Sequence, residues 1–210
     1  MLAVLTLVDA SELLLVLARK LKVSVSLLRE RDLTGAGVCL LLFFWRKHMD
    51  DIKLYEVDAA YIQYLYNIEP NMFRNRKAEQ KNTRKYIGVV LYVNGYPYFA
   101  PLSSFKEKHK HMKDSIDFIK VKDYAVINLN NMFPVPAGVY HYVDIAQEKD
   151  LQYKALLLAE YRYIKSIQEK IRKNAANLYK IKAREGDTTP LGRRCNHFSD
   201  LEAAYQKFIK

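Results

Sequence analysis

The 210-residue sequence is short of the residues that build covalent frameworks and metal centres. Its two cysteines, Cys39 and Cys195, lie far apart and form no CxxC pattern. Neither a disulfide framework nor a zinc site is signalled, and a reducing cytoplasm is the default compartment. Of the five histidines only His109 and His111 are close neighbours, and no carboxylate or cysteine cluster accompanies them, so no metal ligand set is expected. The chain contains no Walker A, GxGxxG or HExxH sequence and no internal repeat. P-loop hydrolysis, dinucleotide-dependent redox chemistry and zincin proteolysis therefore drop out of the leading classes. Acidic residues are in deficit as well: 23 Asp and Glu face 34 Lys and Arg, a net charge of +11. Half the residues are apolar, enough to bury a core. The excess charge then sits on a folded surface and favours a polyanionic partner, either nucleic acid or an anionic membrane.

What the chain has in abundance is tyrosine. Sixteen Tyr, nine Phe and one Trp supply flat faces on which unpaired bases can stack. Any single one of them is more often a strand or core residue.

Residues 1–48 differ from the rest, being rich in Leu and Val and carrying +3 of the net charge against +8 for the remainder. The longest uncharged run there, residues 33–45, is 13 residues, short for a bilayer span. The first charges are Asp9 and Glu12, where a signal peptide needs a basic start; a membrane partner is not expected. Met49 is followed at once by Asp50-Asp51-Ile52-Lys53-Leu54-Tyr55, where a strand pattern begins. We read 49–210 as the folded domain, with Met49 as its working start. Residues 1–48 then form an apolar extension that is either not native or poorly structured, a surface-docked helical hairpin being the alternative.

Within 49–210, residues 52–57 read as a strand. Asp58 then caps a helix over 59–67, turning Ile62, Leu65 and Tyr66 inward, and Pro70 closes it. Residues 71–85 are polar and basic (Arg74, Arg76, Lys77, Lys81, Arg84, Lys85) and read as a mobile loop. Residues 86–93, the turn pair Asn94-Gly95 and residues 96–102 spell a hairpin. Pro97 and Pro101 place its return strand at an edge, or interrupt it. Residues 118–122, 124–128 and 139–143 suggest further strands. From 150 to 184, Ala155, Leu158, Ile164, Ile167, Ile171, Ala175 and Leu178 recur at helical steps. Residues 186–192 are a break, and Ser199-Asp200-Leu201-Glu202 reads as a capping box opening a last helix through Tyr205. The sum is an α+β domain, an antiparallel sheet with helices around it.

Chemistry concentrates on Ser103-Ser104-Phe105-Lys106, with Lys108 and Lys110 beyond. Hydroxyls donate to phosphate oxygens, and ammonium groups stabilise the extra charge of a pentacovalent intermediate. By itself SSxK in a basic loop is usually a turn. Residues 162–184 hold eight Lys or Arg against one acid, Glu169. Arg162, Lys165, Arg172, Lys173 and Lys180 read with equal weight as a solvated helix face or as contacts to RNA phosphates. His109 and His111, whose spacing suits one face of a strand but which fall in the basic loop, are further acid–base candidates because imidazole titrates near neutrality.

The wider run is more specific. Lys53-Leu54-Tyr55, Tyr61-Ile62-x-Tyr64-Leu65, Ile87-Gly88-Val89-Val90-Leu91, Tyr98-Phe99-Ala100-Pro101-Leu102-Ser103-Ser104-x-Lys106, Ile127-Asn128-Leu129-x-x-Met132-x-Pro134 and Cys195-Asn196-x-Phe198-Ser199-x-Leu201-Glu202 follow one another in order. Together they resemble the ToxN/AbiQ toxins of type III toxin–antitoxin systems over residues 52–208, leaving out 1–48. The resemblance implies a compact, barrel-like antiparallel sheet akin to the MazF/Kid toxins. It implies an endoribonuclease that needs no metal or other cofactor and selects adenine-rich single-stranded RNA. There the RNA's own 2′-hydroxyl attacks phosphorus, leaving a 2′,3′-cyclic phosphate and a 5′-hydroxyl. The implied partners are target mRNA and a small repeated RNA antitoxin, which the toxin processes and which inhibits it in a closed protein–RNA assembly. DNA is not among them, and the implied setting is phage defence by abortive infection. By position, Ser104 matches the family's key serine, Ser103 the Ser/Thr before it, Lys106 the basic residue two further on, and Tyr61 the helix tyrosine. Arg84 stands where a family member has lysine. A guanidinium braces a phosphorane but exchanges protons poorly, so its implied role is electrostatic. Lys108 stands where some members have tryptophan, so stacking is not expected there. Free Tyr and Lys titrate near ~10 and ~10.4, which leaves the proton carriers open. A non-catalytic protein that sequesters transcripts is the competing reading. For the boundary at Met49 the check is intact mass of natively expressed protein: a chain beginning at Met49 is expected, and a mass that includes residues 1–48 would contradict it.

Overall fold

The computed structural model describes residues 51–69, 72 and 84–208. The readings for the 1–48 extension, for Pro70 and for the loop carrying Arg74, Arg76, Lys77 and Lys81 lie outside these residues. The strands are β1 (Lys53–Val57), β2 (Tyr86–Val93), β3 (Tyr96–Ser104), β4 (Phe118–Val121), β5 (Ala125–Asn128), β6 (Phe133–Pro134) and β7 (Tyr140–Tyr142). The helices are α1 (Ala59–Tyr66), α2 (Glu107–Lys110), α3 (Leu151–Ser166), α4 (Gln168–Glu185), α5 (Pro190–Arg194) and α6 (Phe198–Phe208). All belong to one unit, Asp51–Lys210.

The strands form an antiparallel sheet in the order β4-β5-β3-β2-β1-β7, with β6 pairing β3. The expected α+β class holds, but the sheet is open: among the described residues β4 and β7 stand at its two ends and do not pair. These end strands are four and three residues long, which gives too short a ladder to close the staggered wall a barrel needs.

Of the two placements expected for the proline-bearing strand, the interrupted one holds, and β3 lies at the centre of the sheet. It pairs with β2 on one side and with β6 and β5 on the other. Its prolines fit because the second side is divided. There β6 covers Tyr98 and Phe99, and β5 covers Leu102 to Ser104. The Leu102 N–H donates to the Lys85 carbonyl at 3.0 Å, so by alternation the Pro101 nitrogen turns to the gap between β6 and β5. Pro97 takes part through its carbonyl, which accepts from the Val135 N–H at 2.9 Å.

The hairpin turn is as predicted, with Asn94 at φ 50° and Gly95 at φ 84°, the left-handed pair that a twisted two-residue turn requires. Further along β2 the register shifts between Ile87 and Leu91. Here Gly88 meets the Phe99 ring so closely that a Cβ would lie 2.5 Å from two ring carbons. Only glycine lets the ring lie against the backbone.

Strand alternation sorts the core into two layers. Leu54, Ile87, Ala100, Leu102 and Ile127 pack against Leu157 and Ile164 of α3 and Ile171, Ala175 and Leu178 of α4. Val57, Tyr86 and Phe99 face the other way, against Tyr61, Ile62 and Leu65 of α1 and Leu201 and Ala204 of α6.

Four local readings need correction. α1 ends at Tyr66, which is half-buried, and Tyr61 takes the inward position instead. Asp58 precedes α1 but caps nothing through its side chain; its carboxylate meets His141 Nε2 at 3.1 Å. The helical pattern read over 150–184 runs as two helices, broken at Ile167 (φ −113°, ψ 13°). The break resets the inward face, so in α3 Leu157 is buried while Ala155 is exposed and Leu158 half-buried. α6 starts before Ser199, and Glu202 closes no cap. Its carboxylate accepts from the hydroxyls of Tyr98 at 2.6 Å and Tyr179 at 2.9 Å, tying α6 to β3 and α4. No helix among the described residues is long and apolar enough to cross a membrane.

Two stability predictions follow from this packing. Gly88→Ala should cost at least about 2 kcal/mol in denaturant unfolding, because the ring has to move; an unchanged midpoint would contradict the contact. Glu160 on α3 is 5% exposed, and burial pushes its carboxyl up to about 7. Between the unfolded value near ~4.3 and about 7 the folded protein keeps a proton that the unfolded chain has released, so stability falls as pH rises through this window. Glu160→Gln should remove that slope, worth up to roughly 3 kcal/mol at the upper end. Unfolding measured across the window checks both sign and size.

Candidate active site

Successive residues of an extended strand point to opposite faces, and this divides the two serines. In β3, Ser103 stands opposite Val126 and Ser104 opposite Ala125. Ser103 shares its face with Tyr86 and Val57, and two donors converge on it. Arg84 Nη1, from the residues just before β2, donates to Ser103 Oγ at 3.4 Å. From the end of β5, Asn128 Nδ2 donates to the same oxygen at 3.4 Å. Lys85, the residue after Arg84, is committed to Glu56 in an ion pair.

Ser104 points to the face of Ala125 and Leu102 and is exposed. Lys106 is also exposed and extended (φ −128°, ψ 159°). Between them the Phe105 N–H donates to the Tyr124 carbonyl at 3.1 Å, which fastens the segment to the β4–β5 turn. The serines thus flank one end of the sheet from its two faces.

Residues 107–110, read from the sequence as part of a basic loop, form a helical turn. The Lys106 N–H donates to His109 Nδ1 at 3.0 Å, and the buried ring lies edge-on to Phe105 and Phe118, 5.6 Å from each. Burial, then the charges of Lys108 and Lys106, hold its pKa below the ordinary imidazole range. His109 is therefore a neutral acceptor that fixes Lys106, and it is not placed to exchange protons with an outside ligand. His111 is exposed at the end of α2. Lys110 pairs with Glu107 at 2.9 Å, and Lys108 is exposed.

Tyr61 is not brought to this end of the sheet surface. It is 0% exposed, its hydroxyl donates to the Pro134 carbonyl at 2.7 Å, and its ring packs 4.8 Å from Phe208. Burial raises its phenol well above the ordinary value. The matched tyrosine is a core residue here, because its helix buries this face against β6 and α6.

The basic helical stretch is divided between α3 and α4 and does not form one stripe. Arg162 lines a shallow groove of about 350 Å³ with Lys122, Tyr124 and Tyr163; Tyr124 is also the residue that holds Phe105. Lys122 Nζ lies 5.6 Å from the centre of the Tyr163 ring. Lys165 is paired with Asp51 at 2.8 Å and Arg172 with Glu169 at 3.5 Å. Lys173 and Lys180 are exposed on α4. Sequence reasoning assigned no role to Asn128 or Lys122. Nothing in a run of Asn, Leu and Met announces a side chain that reaches across to the next strand.

One end of an antiparallel sheet thus displays two hydroxyls, a guanidinium and an ammonium group on a basic α+β scaffold, the marks of a phosphate-binding protein with a polyanionic ligand. The family model described as Toxin ToxN, type III toxin-antitoxin system, matches residues 53–206, and the chain belongs to that family. It is 28% identical over 167 residues to Endoribonuclease ToxN of Bacillus thuringiensis subsp. kurstaki, covering 76% of this chain and 85% of the relative. It is 30% identical over 184 residues to Endoribonuclease AbiQ of Lactococcus lactis subsp. lactis, covering 80% and 96%. Among solved structures, a type III toxin selectively inhibited by a non-coding RNA pseudoknot superposes with a TM-score of 0.67 at 26% identity, over 76% of this chain and 99% of that one. AbiQ, described as a lactococcal anti-phage endoribonuclease, gives 0.66 at 27% identity, over 76% and 99%.

The geometry separates supporting residues from contacting ones. Tyr61→Phe should cost about 1 kcal/mol of stability through the lost carbonyl bond, yet leave affinity for a short oligonucleotide within twofold. A large affinity loss in folded protein would return Tyr61 to the site. His109 should titrate below the ordinary imidazole range in ring-proton NMR; a normal or raised value would contradict its burial and its bond from Lys106.

Proposed function

We propose that this chain is the endoribonuclease toxin of a type III toxin–antitoxin pair, and that it cuts adenine-rich single-stranded RNA without a metal. The observation that carries the reading is the Arg84–Ser103 hydrogen bond at the end of the strand that also bears Ser104 and leads into Lys106, in a chain whose relatives are named endoribonucleases along most of their length. At the strand end, where the chain leaves the sheet, the two serines reach the scissile phosphate from opposite faces, each donating to a non-bridging oxygen. Arg84 and Lys106 stabilise the added negative charge as phosphorus becomes five-coordinate. The nucleophile is the RNA's own 2′-oxygen. As it loses its proton a bond forms from it to phosphorus, the bond from phosphorus to the 5′-oxygen breaks, and that oxygen takes up a proton. The products are a 2′,3′-cyclic phosphate and a 5′-hydroxyl.

Lys108, Lys110, Arg162, Lys173 and Lys180 carry charge outward along the path of the flanking phosphates. Of these Lys110, and beside them Lys165 and Arg172, contribute less, because carboxylates already pair with them. Target mRNA and a repeated small RNA antitoxin take the same site. The antitoxin is processed there and stays bound in a closed protein–RNA assembly. Such a toxin acts in the cytoplasm, where its RNA partners are made, and serves phage defence by abortive infection.

The test is incubation of purified protein with an A-rich RNA in excess EDTA, followed by analysis of the ends. Cleavage with cyclic-phosphate ends is expected. Ser104→Ala should slow it by on the order of 10² to 10³ while RNA binding stays within a few fold. Intact RNA from folded wild-type protein would leave only RNA binding and transcript sequestration. Loss of cutting on chelation would overturn the metal-free chemistry.

A further inference from the structure

We infer that Asn128 is a positioning residue which, together with Arg84, fixes the Ser103 hydroxyl as a hydrogen-bond donor toward the bound phosphate. The inference rests on the ribonuclease reading for the identity of the ligand, and on geometry for the role.

A serine hydroxyl has one proton to donate and two lone pairs with which to accept. At Ser103 both lone pairs have donors pointing at them, Arg84 Nη1 and Asn128 Nδ2, each at 3.4 Å. A guanidinium and an amide nitrogen can only donate, so neither can take the Ser103 proton. Among the described residues nothing else accepts it. The remaining capacity of the hydroxyl is a single donor directed away from both partners, which suits an anion and not a cation or a neutral donor.

The placement of Asn128 supports a dedicated role. It occupies the position before a short 3-10 turn, Leu129–Asn131, where asparagine ordinarily caps through its side chain, yet it makes no side-chain cap bond. The β3–β5 ladder ends beside it, because the next residue of β3 is Pro101, which has no N–H to offer. By strand alternation its side chain lies on the face of Ser103, one step along the neighbouring strand. The amide that could have closed the local turn is spent on the serine.

The measurement is a double-mutant cycle between positions 103 and 128 with two readouts. One is single-turnover cleavage of an A-rich RNA; the other is affinity for the same RNA made uncleavable by a 2′-deoxy substitution at the scissile nucleotide. Asn128→Ala should weaken both about three- to tenfold. Asn128→Asp should be worse than Asn128→Ala, because a carboxylate would take the serine proton itself, and Asn128→Ser, which restores a donor, should recover part of the loss. In a Ser103→Ala background each change should matter less than about twofold. Equal losses with and without Ser103, or Asp no worse than Ala, would overturn the inference. Thermal unfolding confirms that each variant is folded; if Asn128→Ala is not, the Asp and Ser variants carry the same comparison. Should wild-type protein leave the RNA uncut, the ribonuclease reading fails, and the affinity cycle alone decides the role of Asn128.

Discussion

The pairing of β3 on both of its edges is the constraint from which the rest of the structure follows. β2 runs along one edge, and β6 and β5 divide the other. This division admits Pro101, whose missing N–H falls where neither strand pairs. It also brings three separate stretches of chain to the same sheet end. The residues before β2 deliver Arg84, the end of β3 delivers the two serines, and the end of β5 delivers Asn128. Phe99 on β3 in turn presses on Gly88, so the core of one layer and the register shift of β2 are set by the same strand.

The electrostatics are organised around this end by commitment elsewhere. Several cations that a count of charges would offer to a nucleic acid already face carboxylates: Lys85 faces Glu56, Lys110 Glu107, Lys165 Asp51 and Arg172 Glu169. The more exposed pairs, those of Lys110, Lys165 and Arg172, are worth little in stability and give way to a polyanion at small cost. Arg84 is half-buried and donates to the Ser103 hydroxyl oxygen. His109 serves the same end from beneath, since its neutral ring accepts the Lys106 N–H and holds the backbone from which that ammonium group projects.

Much of the fold was legible in the sequence, for a physical reason. Strand alternation, the Asn94-Gly95 turn and the apolar steps through Ile164, Ile171, Ala175 and Leu178 are local patterns, readable over one to three turns of chain. The errors and the open choices fell where a local pattern meets a distant partner. Pro97 and Pro101 left an edge strand and an interrupted one both open, because a sequence does not show a ladder divided between two strands. Ser199 to Glu202 read as a cap, because the claim of Tyr98 and Tyr179 on Glu202 comes from far along the chain. His109 and His111 read as equal acid–base candidates, although Phe105 and Phe118 bury one and the other lies in solvent.

The same division holds at the site. Residue types and local spacing determined that this protein is a basic α+β domain, and the ordered motifs around Ser103-Ser104-Phe105-Lys106 determined its family. Those properties survive any arrangement of the chain, because they depend on composition and on spacing along it. Only the tertiary structure decided that the two serines face opposite sides of the sheet, that Tyr61 belongs to the core, and that Asn128 belongs beside Ser103. Each of these depends on strand register and on which helix covers which face. Register is set by contacts between residues tens of positions apart, and shifting it by one residue would exchange every side chain between the two faces.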